Sequence, residues 1–108
     1  MLGVEVTITR WVSDEPQPGI VECELLDANG HRWLFREKAA IVSAEPLSAR
    51  STYPCSGSIA CRIVGQHSVD GSASDVVRID TELPWGVASI EGITTFDVLR
   101  RSLSTIRD

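Results

Sequence analysis

The stretch IVECELLDANGHRWLFREK, residues 20–38, determines the predicted fold class. Apolar residues alternate with glutamates along its first half, and aromatic residues alternate with arginines along its second half. Alternation of this kind is typical of β-strands that bury one face. The two halves meet at Asn29-Gly30, a pair that favours a two-residue hairpin turn because both residues tolerate a positive φ. The stretch therefore predicts a β-hairpin closed at Asn29-Gly30.

Shorter runs elsewhere in the chain show a similar pattern. Further strands are predicted where β-branched and other apolar residues alternate with polar ones, at residues 2–12, 58–65, 75–81, 87–90 and 94–99. Glycine, proline and small polar residues predict loops or turns at residues 13–19, 44–58, 66–74 and 82–86. Asp70-Gly71 is the expected reversal point of the third of these, and Glu91-Gly92 is expected to join the last two strands. Residues 39–43 are predicted to extend the second hairpin arm, with a short helical turn as the alternative.

About seven short strands without a long helix predict an all-β fold. A chain of 108 residues can bury one hydrophobic core, so residues 1–108 are predicted to form a single domain. The expected architecture is a small antiparallel β-barrel, SH3-like or OB-like in general shape, or a compact sandwich. The alternation places Trp33, Ile63 and Phe96 on core faces, whereas Trp11 falls on the polar face of its strand.

Charge and hydropathy narrow the classes of function. The formal net charge is −5, and nucleic-acid binding is not expected because phosphate contacts need clustered lysines and arginines. No apolar run approaches the roughly 20 residues that span a bilayer, and the N-terminal residues lack the pattern of a signal peptide. The expected location is therefore the cytoplasm, without membrane association.

The residues that most often carry chemistry form no strong motif. Cys23, Cys55 and Cys61 are an odd number of cysteines, so reduced thiols are expected in the cytoplasm, with a Cys55–Cys61 disulfide as the alternative. Together with His31 and His67 they lack the close pairs that zinc sites use, and neither a metal nor another cofactor is expected. No nucleophile elbow, phosphate loop or metalloprotease motif occurs. The sequence therefore favours a protein without catalytic residues.

Acidic residues surround the first hairpin arm. Glu22 and Glu24 share one face of the predicted strand, and Asp14 and Glu15 lie in the loop before it. An acidic surface steers basic partners, and Trp11, off the core face, would supply an apolar anchor. These five residues predict a protein–protein interaction module of the inhibitor, immunity or adaptor type. The expected partner is a basic protein, and a homodimer is a further expectation.

An alternative site involves residues in or beside predicted loops. Tyr53, Cys55, His67 and Trp85 would line the mouth of a barrel. A pocket of this kind would bind a small molecule or, with Cys55 as nucleophile and His31 or His67 as base, perform catalysis. This alternative predicts one apolar pocket in which the four side chains converge.

Overall fold

Antiparallel strands account for most of the regular structure of this chain. The computed structural model describes the backbone of residues 1–69 and 72–106 and the side chains of residues 1–65 and 75–106. The strands are β1 (Leu2–Ser13), β2 (Ile20–Leu26), β3 (Arg32–Lys38), β4 (Cys55–Ala60), β5 (Arg62–Val69), β6 (Ser72–Asp80), β7 (Thr95–Leu99) and β8 (Leu103–Thr105). A short helix, α1 (Ala39–Val42), and a 3₁₀ helix (Arg100–Ser102) complete the described elements. The all-β prediction is confirmed, and no described helix is long and apolar enough to cross a membrane.

The strands form two antiparallel sheets. The first sheet has the order β3-β2-β1-β4, with β8 paired to the beginning of β1, and the second has the order β5-β6-β7. Only Cys61 separates β4 from β5, and its backbone N–H donates to the carbonyl of Leu2 at 3.0 Å. The chain therefore passes from one sheet to the other without a connecting loop. The strand pairs of the described residues do not close into a barrel, so the barrel prediction is not confirmed.

The core consists of side chains from the inner faces of both sheets, from α1 and from the segment between β6 and β7. Its large buried members are Val4, Val6, Ile8, Val21, Leu25, Phe35, Val42, Ile59, Val77, Ile79, Val87, Phe96 and Val98. Phe35 of the first sheet contacts Phe96 of the second with ring centroids 5.6 Å apart, and Trp33 contacts the same ring at 5.4 Å. The predicted core orientation of Trp33 and Phe96 is confirmed. Full burial of one such aromatic side chain stabilises the fold by about 1.5–3 kcal/mol.

A β-bulge changes the alternation of β1 near its middle. The register of β1 against β2 shifts between Ile8 and Arg10, so Thr9 is an extra residue on β1. An extra residue moves the side chains that follow it to the opposite face. Arg10 is consequently exposed, and Trp11 packs against the core. The prediction that Trp11 lies on the polar face was wrong because simple alternation does not show the bulge.

The β2–β3 hairpin is confirmed, but its turn is longer than Asn29-Gly30. The N–H of Asp27 donates to the carbonyl of His31 at 2.9 Å, and the N–H of Gly30 donates to the carbonyl of Asp27 at 3.1 Å. The Asp27 carboxylate accepts the N–H groups of Asn29 and His31, both at 2.9 Å. Gly30 has a φ of 82°, in the left-handed region that glycine adopts freely. The Asp27 side chain therefore shapes a turn that the Asn-Gly pair alone does not specify.

Residues 39–42 form a helix instead of extending β3. The ladder with β2 ends at Lys38, and the N–H of Ala39 donates to the carbonyl of Gly19 at 2.9 Å. Ala39 and Val42, three positions apart, are both buried, which is the spacing of one helix face. The strand prediction for this segment was wrong, and its helical alternative is confirmed.

The β5–β6 hairpin extends over residues that were predicted to form a turn. The ladder continues to the pair Val69 and Ser72, so most of residues 66–74 are strand. The predicted reversal at Asp70-Gly71 lies outside the described residues. Ile63, expected in the core, is 40% exposed. Its predicted inward orientation was therefore wrong.

Residues 87–90 do not form the predicted strand. The N–H of Val87 donates to the carbonyl of Thr81 at 3.0 Å, and the Thr81 hydroxyl donates to the carbonyl of Val87 at 2.7 Å. A separate turn connects Ser89 and Ile93, with the Ser89 N–H donating to the Ile93 carbonyl at 2.8 Å. These local bonds satisfy backbone groups that a ladder would otherwise have paired. The predicted last hairpin was wrong, and β7 pairs with β6 instead.

Candidate interaction surface

Side chains on the outer face of the first sheet form a band of mixed charge. Successive side chains of a strand point to opposite faces, so one face collects every second residue of β2 and β3. The charged face, as we call it, comprises Arg10 of β1, Glu22 and Glu24 of β2, and Arg32 and Arg36 of β3. The strand pairs place Glu22 between Arg10 on one side and Arg36 on the other.

Glu22 lies at the centre of the charged face. Its carboxylate accepts hydrogen bonds from Nε and Nη2 of Arg10 at 3.3 and 3.2 Å, and from Nε of Arg36 at 3.2 Å. The bonds from Arg10 lower the pKa of Glu22 from its ordinary value, partial burial opposes this effect, and Arg36 lowers the pKa further. Glu24 accepts a bond from Nη1 of Arg32 at 3.1 Å. Glu22 is therefore ionised at neutral pH and held by two arginines, and Glu24 is held by one.

These ion pairs change the electrostatic character of the predicted acidic surface. Glu22 and Glu24 share an outer face, but three arginines neutralise them. The alternation of β3 indicates that Arg32 and Arg36 share a face, yet it does not say which glutamate each arginine meets. That information comes from the cross-strand register, which the hairpin turn sets. A correct prediction of the length of the β2–β3 turn would therefore have shown which glutamate each β3 arginine contacts.

Trp11, Asp14 and Glu15 lie where β1 leads into the following loop. Nε1 of the Trp11 indole donates to Oδ1 of Asp14 at 2.9 Å. The same ring lies against Gly19, where a Cβ atom would overlap it. Asp14 and Glu15 are exposed, and neither forms an ion pair with a described basic side chain. The structure brings Trp11 and Asp14 together and gives the ring a packing contact, while its function as a binding anchor stays a prediction.

Large apolar side chains lie beside the charged face. Leu26 follows Glu24 on the outer face of β2, and it is 55% exposed. Leu34 lies between Arg32 and Arg36 on the outer face of β3, and it is 40% exposed. The carbonyl of Leu34 accepts the N–H of Ile90 at 2.8 Å, and Ile90 is 53% exposed. The sequence interpretation did not select these residues, although Leu34 stands between two outward-facing arginines.

The residues of the alternative pocket are placed at different parts of the fold. Tyr53 and Cys55 pack against the core near the start of β4, and the Tyr53 hydroxyl donates to the carbonyl of Ser48 at 2.7 Å. Trp85 lines a separate groove of about 220 Å³ beside α1. His67 belongs to β5, and its side chain lies outside the described part of the chain. The small-molecule site stays a prediction.

The three cysteines are free thiols. Burial is the main reason that the pKa of Cys23 is raised to about 12, and burial raises the pKa of Cys61 to about 11. Thiols with such pKa values remain protonated at neutral pH and behave as small core residues. Among the described side chains, no three cysteines, histidines or carboxylates come together in a group that could hold a metal ion.

Comparisons of the chain with protein-family models, with curated proteins and with solved structures gave no match. They assign neither a family nor an activity to it. Function is therefore inferred from the geometry of the chain itself.

Proposed function

We propose that the chain is a non-enzymatic protein–protein interaction module of the inhibitor, immunity or adaptor type. Its contact surface is the outer face of the first sheet, and its expected location is the cytoplasm. The observation that carries the proposal is the exposure of Leu26 and Leu34 among ordered arginine–glutamate pairs on three hydrogen-bonded strands.

This combination of side chains suits a binding surface. Arginine is enriched at protein interfaces and among their hot spots, and the burial of apolar surface is the dominant favourable term in most protein–protein association. Arg10 and Arg36 are already held by Glu22, so they lose less side-chain freedom on binding than unrestrained arginines would. The strands that carry them are held by ladder hydrogen bonds on a buried core, which keeps the spacing of the contacts constant.

The charge of the expected partner depends on whether it contacts the neutralised charged face or the acidic loop after β1. Glu22 and Glu24 are neutralised by arginines, so attraction of a basic protein relies mainly on the exposed carboxylates of Asp14 and Glu15. The other expected partner is a second copy of this chain, which would bind through the same exposed leucines. Salt distinguishes the two, because exposed charges are screened by salt whereas apolar contacts are not.

A capture experiment with matched variants tests the proposal. Leu34→Glu places a charge at the centre of the apolar contact, and Leu83→Glu makes the same change at a 47% exposed leucine in the segment between β6 and β7. We expect a partner from the native host's lysate to be retained by the wild type and by Leu83→Glu, and to be lost with Leu34→Glu. Light scattering of the purified chain at several concentrations reports the homodimer.

Charge variants then test the basic partner. Asp14→Asn and Glu15→Gln remove two negative charges and keep an acceptor for the Trp11 indole. This pair of changes should weaken the binding of a basic partner at low salt. Retention of the same proteins by all variants, including Leu34→Glu, would show that the outer face of the first sheet is not the contact surface.

A further inference from the structure

Three of the strands at the ends of the two strand orders carry features that protect a sheet edge from pairing with another chain. These end strands are β3, β4, β5 and β7. The carbonyl of Leu34 on β3 accepts the N–H of Ile90, and the carbonyl of Asp97 on β7 accepts the N–H of Ala28, both at 2.8 Å. On β5 the register against β6 shifts after Ile63. Covering segments and bulges of this kind prevent edge-to-edge pairing. Within the described residues, β4 has neither.

The backbone groups of Ser56 and Ser58 point away from the first sheet. Hydrogen-bonded and non-hydrogen-bonded pairs alternate along an antiparallel ladder. The N–H of Cys61 donates to the carbonyl of Leu2 at 3.0 Å, so odd-numbered residues of β4 bond to β1 and even-numbered residues point outward. Ala60, the next outward position, is fully buried. The N–H and carbonyl groups of Ser56 and Ser58 have no partner among the described residues, and they are therefore available to another chain.

The side chains around this edge do not hinder a second strand. Residues 51–61 contain no charged side chain, although the chain has a formal net charge of −5. The central residues of the edge, Ser56, Gly57 and Ser58, are small. The register of β4 against β1 runs without a shift from Cys55 to Ala60, so the edge contains no bulge. Another uncharged strand can therefore approach it closely.

The edge of β4 is complementary to itself under a two-fold axis. If Gly57 lies opposite Gly57 of a second copy, Ser56 of each chain lies opposite Ser58 of the other chain. Both are then hydrogen-bonded pairs, because these residues carry the outward backbone groups. This register pairs every open group at Ser56 and Ser58, whereas a register centred on either serine would pair only one residue of each copy.

A groove beside Ser58 supplies an apolar contact for the same arrangement. It has a volume of about 220 Å³ and its apolar lining includes Ile41, Trp85 and Ile106. Trp85 is 41% exposed. In the two-fold register, Pro54 of the copy would lie opposite Ala60, next to this groove, and Pro54 is exposed in the single chain. Burial of these apolar groups would favour association.

We propose that a second copy of this chain pairs with β4 in an antiparallel arrangement, so that the first sheets of two chains form one continuous sheet. A second copy is the occupant because its own β4 offers the matching donors and acceptors at the same spacing. The strand order places β4 and β3 at opposite ends of the sheet, so this contact is separate from the exposed leucine Leu34. The proposal and the proposed function can therefore fail separately.

Sedimentation equilibrium of the purified full chain at several concentrations tests the proposal. We expect a reversible equilibrium between monomer and dimer. Ser58→Pro removes an outward N–H, and an edge strand tolerates proline where its N–H faces solvent. This change should raise the dissociation constant of the dimer at least about tenfold, because each dimer loses two backbone hydrogen bonds. Ser58→Ala removes only the hydroxyl, and as the matched control it should leave the constant unchanged.

A second measurement needs no substitution. Amide hydrogen exchange of the ¹⁵N-labelled chain should be slower at Ser56 and Ser58 in concentrated than in dilute solution. If Ser58→Pro does not fold by circular dichroism, Ser56→Pro makes the same change at the other outward residue, and the exchange rates carry the comparison without either variant.

Leu34→Glu distinguishes this contact from one through the outer face. It should leave the dimer intact, because Leu34 lies on the opposite edge strand. A chain that stays monomeric at millimolar concentration would overturn the proposal. A dimer that dissociates with Leu34→Glu but not with Ser58→Pro would also overturn it, and would assign self-association to the outer face of the first sheet.

Discussion

Replacement of Gly19 by alanine should destabilise the fold through a contact with Trp11. A Cβ atom at residue 19 would overlap two carbon atoms of the indole ring and lie 3.1 Å from the carbonyl oxygen of Ser13. The backbone φ of 132° adds strain for any residue with a Cβ atom. Backbone strain of this kind costs about 1–3 kcal/mol. Overpacking costs a further ~1–3 kcal/mol, which gives a combined loss of about 2–6 kcal/mol.

A double-mutant cycle separates the two contributions. In a Trp11→Ala background the overlap with the ring is absent, so Gly19→Ala should cost mainly the backbone strain of about 1–3 kcal/mol. Urea unfolding followed by circular dichroism measures each free energy without relying on the tryptophan signal. Gly30→Ala is the matched control, because Gly30 has a φ of 82° but no atom within 4 Å of the added Cβ. An equal cost of Gly19→Ala in both backgrounds would refute the placement of the ring over Gly19.

Two further predictions concern titratable side chains. Glu22→Gln should lower the free energy of unfolding at pH 7 by about 0.5–2 kcal/mol, since each exposed ion pair contributes about 0.2–1 kcal/mol. Because folding lowers the pKa of Glu22, this stabilisation should be complete above the ordinary pKa of 4.5 and should disappear as the pH falls through the lowered pKa. A stability difference between wild type and Glu22→Gln that persists at pH 2 would contradict the ion pairs. Glu5→Gln, at an exposed glutamate, is the control variant. Iodoacetamide should label half-exposed Cys55 before Cys23 and Cys61, whose pKa values are raised to about 12 and 11, and mass spectrometry after digestion reads the order. Faster labelling of Cys23 would contradict its burial.

The strands with strict alternation were predictable from the sequence. β1, β2, β3 and β6 lie where the period of two places them, because each has one face on the core. Prediction failed where hydrogen bonds between distant segments decide the structure. Ala39 begins a helix directly after Lys38, whose ladder partner Ile20 is the first residue of β2. Thr81 forms hydrogen bonds with Val87 and Thr94 through its backbone and hydroxyl groups. The pattern of one segment contains no information about which other segment it meets.

The candidate surface was predictable only in part. The alternation correctly placed Glu22 and Glu24 on an outer face, because both alternate with buried residues of β2. Their pairing with arginines depends on the register between strands, and the inward position of Trp11 depends on the bulge at Thr9. A shift of one residue in either place reverses which side chains face solvent. Both features therefore require the paired strands to be known.

The pairing of β1 has a consequence for how the chain folds. Its partners are β2, β4 and β8, and the last of these brings Thr105 beside Leu2. The β2–β3 hairpin can form within about 1–10 μs, because its contacts are local. Pairing over long sequence separations is slower, so assembly around β1 should limit the folding rate. On the ribosome, β1 is synthesised before its three partner strands, and its edge at Leu2 stays uncovered until residues 103–105 have been made. During that time β1 is the segment with which a chaperone, or another nascent chain, would pair.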